Sequence, residues 1–390
     1  MKLAKIITAV GFTLTTLSAQ TLKSKLPDTL TLEAKSSINR GVSFLMKKQM
    51  PNGSWNFHPA MTSLCALAIA NSPEAETERA EKAVKNALTY IRRHARKDGS
   101  IWNKDAKEYP NYSTAVSLIT LAYINDPADK QIIAAARKFL MDSQFTDVSE
   151  DNASYGGVGY GKKLRPDLSN TQLALEALYL TEEVEEMDKE TRDKTNKMWE
   201  RAQIFLTRCQ NLSQTNDQGW VASDPENDGS FIYLPEYEES KAGDLTARGG
   251  KKTLRGYGSM TYAGLKSMIY ARVKKDDVRV KAAFDWAMRN YTLDENPGMG
   301  QQGLYYYIHT FTKAMTAMDQ ELVKDAKGKT HNWRIDLIKK LLNTQRGNGS
   351  WYNDEGRWWE SVPELVTAYS LLSMQQAVGS DISRIMKKME

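Results

Sequence analysis

Two kinds of hydrophobic pattern alternate along this chain: stretches apolar almost all round, and stretches apolar on one face only. The first kind recurs six times, each opening on a threonine followed by small and apolar residues. The copies begin Thr62-Ser63-Leu64-Cys65-Ala66-Leu67, Thr114-Ala115-Val116-Ser117-Leu118, Thr171-Gln172-Leu173-Ala174-Leu175, Thr261-Tyr262-Ala263-Gly264-Leu265, Thr310-Phe311-Thr312-Lys313-Ala314 and Thr367-Ala368-Tyr369-Ser370-Leu371. Successive threonines lie 52, 57, 90, 49 and 57 residues apart, so the long gap marks an insertion. A helix without a polar face has to be buried on both sides. Ahead of these segments come amphipathic helices, predicted over 80–94, 130–142, 194–209 and 278–290, with charge along one face. Six amphipathic outer helices paired with six apolar inner ones describe six helical hairpins in an all-α protein. Periodicity alone does not separate an open α-solenoid from a closed ring.

Between outer and inner helix the chain repeats a second signature. Phe44-Leu45 leads to Gln49 and then Gly53-Ser54-Trp55, and Leu341 leads to Gln345 and then Gly349-Ser350-Trp351. Partial copies are Phe139-Leu140 with Gln144, Phe205-Leu206 with Gln210 and Gly219-Trp220, and Gly99-Ser100-Ile101-Trp102. Glycine permits the turn after an outer helix, a glutamine amide satisfies groups left open at helix ends, and an indole covers the turn. These loops read as structural clasps. The insertion, 211–255, holds an acidic turn at 224–229, an aromatic segment at 231–235 that reads as a short strand, and the glycine-rich run 247–250. Its aromatic content points to an ordered lid.

The Gln-x-x-x-Gly-Ser-Trp loops at 49–55 and 345–351 resemble the repeats of squalene–hopene cyclases, oxidosqualene cyclases and protein prenyltransferases. The stretches Arg165-Pro166-Asp167-Leu168-Ser169-Asn170-Thr171-Gln172, Tyr257-Gly258-Ser259-Met260-Thr261-Tyr262 and Gly303-Leu304-Tyr305-Tyr306-Tyr307 are similar to exported bacterial proteins of the prenyltransferase and squalene oxidase repeat group. The resemblance implies a closed (α/α)6 toroid over 35–385, preceded by a linker at 20–34. It also implies a register for chemistry: Asp167-Leu168-Ser169-Asn170-Thr171 falls on the Asp-x-Asp-Asp-Thr motif of class II terpene cyclases. The first Asp and the Thr are kept, but Ser169 takes the place of the proton-donating acid, and a hydroxyl cannot protonate an alkene. The zinc ligands of protein prenyltransferases are missing, since no Asp-x-Cys occurs. No cofactor and no metal site are expected.

Composition narrows the partners. The net charge of +5 is spread over 53 basic and 48 acidic residues without a long basic run, so no nucleic-acid surface is expected. Met1-Lys2-Leu3-Ala4-Lys5, the apolar run from Ile6 to Leu17 and the small pair Ser18-Ala19 have the layout of a signal peptide over 1–19, although Leu17 departs from the small residue preferred before the cleavage site. Export to the periplasm or beyond is the expectation. No other segment is long and apolar enough to suggest a transmembrane span. Cys65 and Cys209 sit in different predicted helices; they read as buried thiols or as one disulfide.

In a closed ring the starts of the inner helices converge on a central funnel, where free N–H groups would suit an anionic head group. The candidates there are Tyr112, Ser169, Asn170, Tyr257, Ser259, Tyr262 and Tyr307. Asp167 reads either as a partner to a missing acid or as a helix cap, and His309 either as an acid/base or as a satisfied buried histidine. Lys266 and Lys313 interrupt apolar inner helices at similar depth, with Glu176 as a candidate partner: an ion-pair belt or a polar binding site. Glu360, beside Trp358 and Trp359, suits a sugar or a cation, or loop packing. The leading expectation is a small apolar, isoprenoid-type ligand in the cavity, with or without divergent cyclase (isomerase or lyase) chemistry. The alternatives are a non-catalytic module with a protein or lipid partner, and a carbohydrate-active (α/α)6 enzyme using carboxylates among Asp167, Glu236, Asp244 and Glu360.

Overall fold

The computed structural model describes residues 25–379 except 107, 183–188, 237–239 and 248. The expected signal peptide at 1–19 lies outside the described residues. Twelve α-helices appear among those described, in strict outer–inner alternation. The outer set is α1 (Asp28–Lys48), α3 (Glu78–Arg93), α5 (Lys130–Met141), α7 (Lys189–Arg208), α9 (Val278–Arg289) and α11 (Trp333–Thr344). The inner set is α2 (Pro59–Ala70), α4 (Pro110–Ile124), α6 (Leu168–Leu180), α8 (Gly258–Tyr270), α10 (Leu304–Met318) and α12 (Pro363–Val378). α1 takes in residues 28–34, assigned above to a linker, because Leu30, Thr31 and Ala34 are buried on its inner face. None of the helices is long and apolar enough to cross a membrane.

Each inner helix packs on the next around the ring, and α12 returns to α2, so the toroid is closed. The inner helices bury nearly every side chain; α2 leaves none of Pro59 to Ile69 exposed. Pro59, Pro110 and Pro363 start three of them, where the missing N–H is no loss.

The two repeated signatures turn out to be one device. In five hairpins the repeat threonine hydroxyl accepts from a backbone N–H in the preceding turn: Thr62 from Trp55 at 3.1 Å, Thr114 from Ile101 at 2.8 Å, Thr171 from Val158 at 2.9 Å, Thr261 from Phe231 at 3.1 Å and Thr367 from Trp351 at 3.1 Å. Thr310 instead bonds back to Tyr307 within its own helix. The glutamine amide donates to its own turn and to the next outer helix. Gln49 reaches Gly53 and Ala83, Gln144 reaches Gly156 and Met198, and Gln210 reaches Gly229 and Arg279. Gln345 bonds Gly349 and then Ser37 of α1, both at 2.9 Å, and so ties the last turn to the first helix. The Trp55 and Trp351 indoles donate to Leu45 and Leu341 at 2.9 Å.

The described part of the insertion differs from the expected strand. Phe231 makes only an isolated bridge with Gln210, and its backbone is taken up by Thr261. The hairpin of the insertion lies later, pairing β1 (Asp244–Thr246) with β2 (Lys252–Leu254). A second hairpin, β3 (Leu322–Lys324) with β4 (Thr330–Asn332), leads into α11. Cys65 and Cys209 are both buried and unpaired.

Candidate functional site

At the end of the ring where the inner helices start lies a cavity of about 280 Å³, open at one side. Its wall is mostly aromatic: Tyr112, Tyr160, Tyr233, Tyr257, Tyr306 and Tyr369, with Trp358 and Trp359 at the rim. Met61, Met260, Leu173 and Leu365 complete the apolar surface, and Ser169, Ser259, His58, Glu108 and Lys241 supply polar groups. A larger hollow of about 790 Å³ runs along the outer face of α1, lined by Lys35, Arg40, Lys47 and Lys48. That trough lies on an outer helix, away from the convergent inner-helix starts, and the inner cavity is the better candidate.

Trp358 and Trp359 reach the rim through an uncommon backbone. Both sit in the left-handed region, at φ 57° and 69°, a conformation that costs about 1–3 kcal/mol for a bulky residue and needs firm support. Gly303 provides part of it, since a Cβ there would come within 2.8 Å of the Trp358 ring. The insertion adds the opposite wall. Tyr233 accepts a backbone bond from Leu168 at the start of α6, and Lys241 places its ammonium 3.2 Å from the centre of the Tyr233 ring and 5.7 Å from that of Trp358. Lys241 as a whole is exposed, so water screens its charge. Partial desolvation, with Arg357 and Arg165 nearby, still draws its pKa down to about 8 against the attraction of Asp167.

Of the sequence candidates, Tyr112, Ser169, Tyr257 and Ser259 line this cavity. Asn170, Tyr262, Tyr307, Lys266, Lys313, Glu360, Asp167 and His309 do not. Tyr262 and Tyr307 point into the core against Phe311, with ring centres 5.0 and 6.2 Å away, and the Tyr307 hydroxyl is spent on Thr292. Asp167 is the cap of α6. It accepts from the Asn170 N–H at 2.9 Å, the Asn170 side-chain amide at 2.7 Å and the Ser169 hydroxyl at 2.7 Å. Burial raises its carboxyl above the usual range, while those donors and Lys241 pull it back.

Glu360 is also a cap, supplied from a neighbouring repeat. Its carboxylate accepts from the N–H groups of Tyr305 and Tyr306, at 3.2 and 2.7 Å, at the start of α10. Glu108 does the same for α2 through Ala60 at 3.0 Å, and Asn296 for α8 through Ser259 at 2.9 Å. The free helix N-termini expected at the funnel are therefore already occupied at four of the six inner helices, three of them by carboxylates.

Below the cavity floor lies the ion-pair belt. Lys266 donates to Glu176 at 2.5 Å, and Lys313 pairs with the other oxygen of the same carboxylate. Burial opposes ionisation of Glu176, but the two ammonium groups outweigh it and hold its carboxyl far below the usual range. Burial brings Lys266 down to about 8 against the pull of Glu176. Lys266 also donates to Gln172, whose amide reaches the Tyr306 hydroxyl at 3.2 Å, so this belt touches the cavity wall through one side chain. His309 is buried beside Tyr369. Burial first, then the Lys313 charge, push its pKa well below the ordinary value, so near neutral pH it is an uncharged ring and no proton donor. Among the described residues no three His, Cys, Asp or Glu side chains converge as a metal site would require.

Sequence reasoning missed Glu108, Tyr160, Tyr233, Lys241 and Tyr306. For Glu108, Tyr160, Tyr233 and Lys241 the reason is that they come from loops rather than from repeat positions. Tyr306 stood within the quoted Gly303–Tyr307 stretch, one residue from the candidate chosen there.

Residues 57–203 match the family model of the squalene-hopene cyclase C-terminal domain. Among curated proteins none matches. The type II terpene cyclase MstE from Scytonema, solved as a variant with the substrate geranylgeranyl dihydroxybenzoate, is 14% identical, with a TM-score of 0.53 over 90% of this chain and 99% of that one. A second variant of it, with the product merosterolic acid A, gives 0.52 at the same identity and coverage. An inactive variant of an alpha-1,6-mannanase from Salegentibacter, with alpha-1,6-mannotriose, gives 0.54 at 11% identity over 88% of this chain and 98% of that one. The chain is thus squalene–hopene-cyclase-like in the segment matched, and its toroid is the fold of these enzymes. At such identities the likeness carries the ring and not the reaction.

Proposed function

We propose that this protein is an isoprenoid-binding toroid that has kept the cyclase ring without its acid. The observation that carries the reading is the aromatic cavity at the convergent inner-helix starts. Its volume, about 280 Å³, lies just below the range for small-molecule pockets, roughly 300–1,000 Å³, which favours a short isoprenoid chain over a triterpene. The matched terpene cyclase, which handles a geranylgeranyl substrate, supports the ligand class. Cyclisation is not favoured. Ser169 stands where the acid would be, and both oxygens of Asp167 are taken up as acceptors.

Native mass spectrometry of the protein purified gently from its own host tests this. A retained apolar ligand in the isoprenoid mass range supports the reading. An empty cavity, together with no thermal shift on adding geraniol, farnesol or geranylgeraniol, refutes it. Turnover is tested separately: squalene and geranylgeranyl compounds should be recovered unchanged after incubation.

Two other readings have less support. Sugar chemistry needs two carboxylates across the groove, and none of Asp167, Glu236, Asp244 and Glu360 lines the cavity. A protein partner at the mouth draws on Tyr109 and Trp359, each half exposed at the rim. Export is part of the proposal and rests on residues 1–19; fractionation of the host, with the protein found in the cytosol at full length, would overturn it.

A further inference from the structure

A lysine ammonium donates hydrogen bonds and cannot accept them, and that sets a direction through the wall of the inner cavity. Lys266 donates to the side-chain oxygen of Gln172, so the Gln172 amide nitrogen faces the other way and donates to the Tyr306 hydroxyl oxygen at 3.2 Å. Both Lys266 and Gln172 are buried, and turning the amide over would set donor against donor. The Tyr306 oxygen is thereby an acceptor, and its hydrogen is left over. Among the described residues that hydroxyl has Gln172 as its one hydrogen-bond partner, and Tyr306 lines the cavity. Burial first, then the neighbouring Tyr112 and Tyr257, push its pKa well above the ordinary value, so the hydrogen stays in place.

The same construction occurs on α8, which packs beside α10. Ser259, at the start of α8, is backed by the buried Asn296. The Asn296 oxygen accepts from the Ser259 N–H at 2.9 Å. Its nitrogen donates to the Gln302 carbonyl at 3.1 Å and to the Ser259 hydroxyl oxygen at 3.2 Å. A backbone N–H only donates and a carbonyl only accepts, so this amide is fixed too, and the Ser259 hydrogen is left for the cavity that Ser259 lines. Ser169 is the opposite case. Its hydrogen goes to Asp167 at 2.7 Å, so it offers the cavity lone pairs only. The wall therefore presents hydroxyl donors at the starts of α8 and α10, and an acceptor at the start of α6.

We propose that the ligand carries a neutral carbonyl oxygen, as in a ketone, aldehyde or quinone, held by the Tyr306 and Ser259 hydroxyls, and that Gln172 is the positioning residue that keeps the Tyr306 donor turned toward it. This inference rests on the isoprenoid reading above and specifies the functional group of its ligand. A carbonyl oxygen has two lone pairs and no hydrogen, so it accepts from either donor or both and brings no donor of its own to satisfy. An alcohol needs an acceptor for its own hydrogen. A carboxylate would be desolvated beside two hydroxyls that carry no counter-charge, and a pure hydrocarbon would leave both donors unpaired.

Geranylacetone and the hydrocarbon in which a methylidene group replaces its carbonyl oxygen have nearly the same shape. Titration of each into the full chain can be followed by tryptophan fluorescence, since Trp358 and Trp359 stand at the rim. The ratio of ketone to hydrocarbon affinity should fall on the order of tenfold in Tyr306→Phe, the worth of one hydrogen bond. A change in packing alone moves both ligands together and leaves the ratio where it was. Ser259→Ala should lower the ratio in the same way. Gln172→Glu tests the direction: its carboxylate accepts from Lys266 and from Tyr306 alike, so the hydroxyl turns from the cavity and the ratio falls although the tyrosine is still present. The added negative charge enters a buried group that holds two lysines and one glutamate, so the variant should fold, as its melting temperature will show. Should it fail to fold, Gln172→Leu replaces it, with a fall in the ratio again expected. Difference infrared spectroscopy gives a second readout, since the carbonyl stretch of bound geranylacetone should lie lower in the wild type than in Tyr306→Phe. A ratio and a stretch both unchanged in Tyr306→Phe overturn the carbonyl assignment while leaving the isoprenoid reading intact. A fall in Tyr306→Phe with none in the folded Gln172 variant overturns the positioning role. Failure of both compounds to bind overturns the isoprenoid reading, and this inference with it.

Discussion

Replacing Glu176 by glutamine should be among the most damaging single changes in the ring. The substitution leaves Lys266 with its ammonium almost fully buried and Lys313 mostly so, with side-chain exposures of 1% and 16%, and no counter-charge between them. Breaking a buried pair from one side costs about 3–5 kcal/mol, because a desolvated charge stays behind. With roughly 350 residues described and about 2.1 cal/mol/K of unfolding entropy each, that corresponds to a melting-temperature loss of about 4–7 °C. The penalty should also depend on pH. Lys266 titrates at about 8 in the folded protein against 10.5 ordinarily. The unfolded chain therefore binds more protons between those values, and stability rises with pH there. Without Glu176 the folded value falls further, the rise starts at lower pH, and the penalty shrinks from pH 6 to pH 9. Scanning calorimetry at both pH values checks this. The triple variant Glu176→Leu, Lys266→Met, Lys313→Met should return close to wild type, since an apolar replacement leaves no orphan charge. A loss below about 1 kcal/mol at pH 6, or one that does not vary with pH, would refute the reasoning.

Other consequences are open to measurement. Gln345→Ala removes the amide bond to Ser37 and the Ser37 hydroxyl and Arg40 bonds that join the last turn to α1, and about 1–3 kcal/mol of stability should go with them; hydrogen exchange should rise first at the α1–α11 seam. Asp167→Asn keeps one acceptor oxygen for the α6 cap and should cost less than Asp167→Ala, which should lose about 1–2 kcal/mol in denaturant unfolding; neither should abolish farnesol binding. Gly349→Ala places a Cβ 2.5 Å from the Arg40 carbonyl at φ +89°, so a loss of more than about 1 kcal/mol is expected by thermal denaturation.

The alternation of outer and inner helices was legible in the sequence because a buried helix and a half-buried helix carry different hydrophobic patterns, and that difference survives without any partner being known; closure of the ring was not, since an open solenoid carries the same pattern. Six threonines gave the number of hairpins. The Gln and Gly-Ser-Trp positions marked the turns, whose glutamine clasps and threonine acceptors are bonds spanning few residues or adjacent repeats. Which residues face the cavity was decided only by tertiary structure. An inner helix that is apolar all round has no stripe to show which side meets its neighbour and which meets the funnel. Tyr257, at the cavity, and Tyr262, in the core, are therefore alike in sequence and separate only when α8 is set against α10. The same holds for charge. Glu108 and Glu360 cap helices of other hairpins, and Lys241 arrives on an insertion, so their roles depend on contacts that no local pattern encodes.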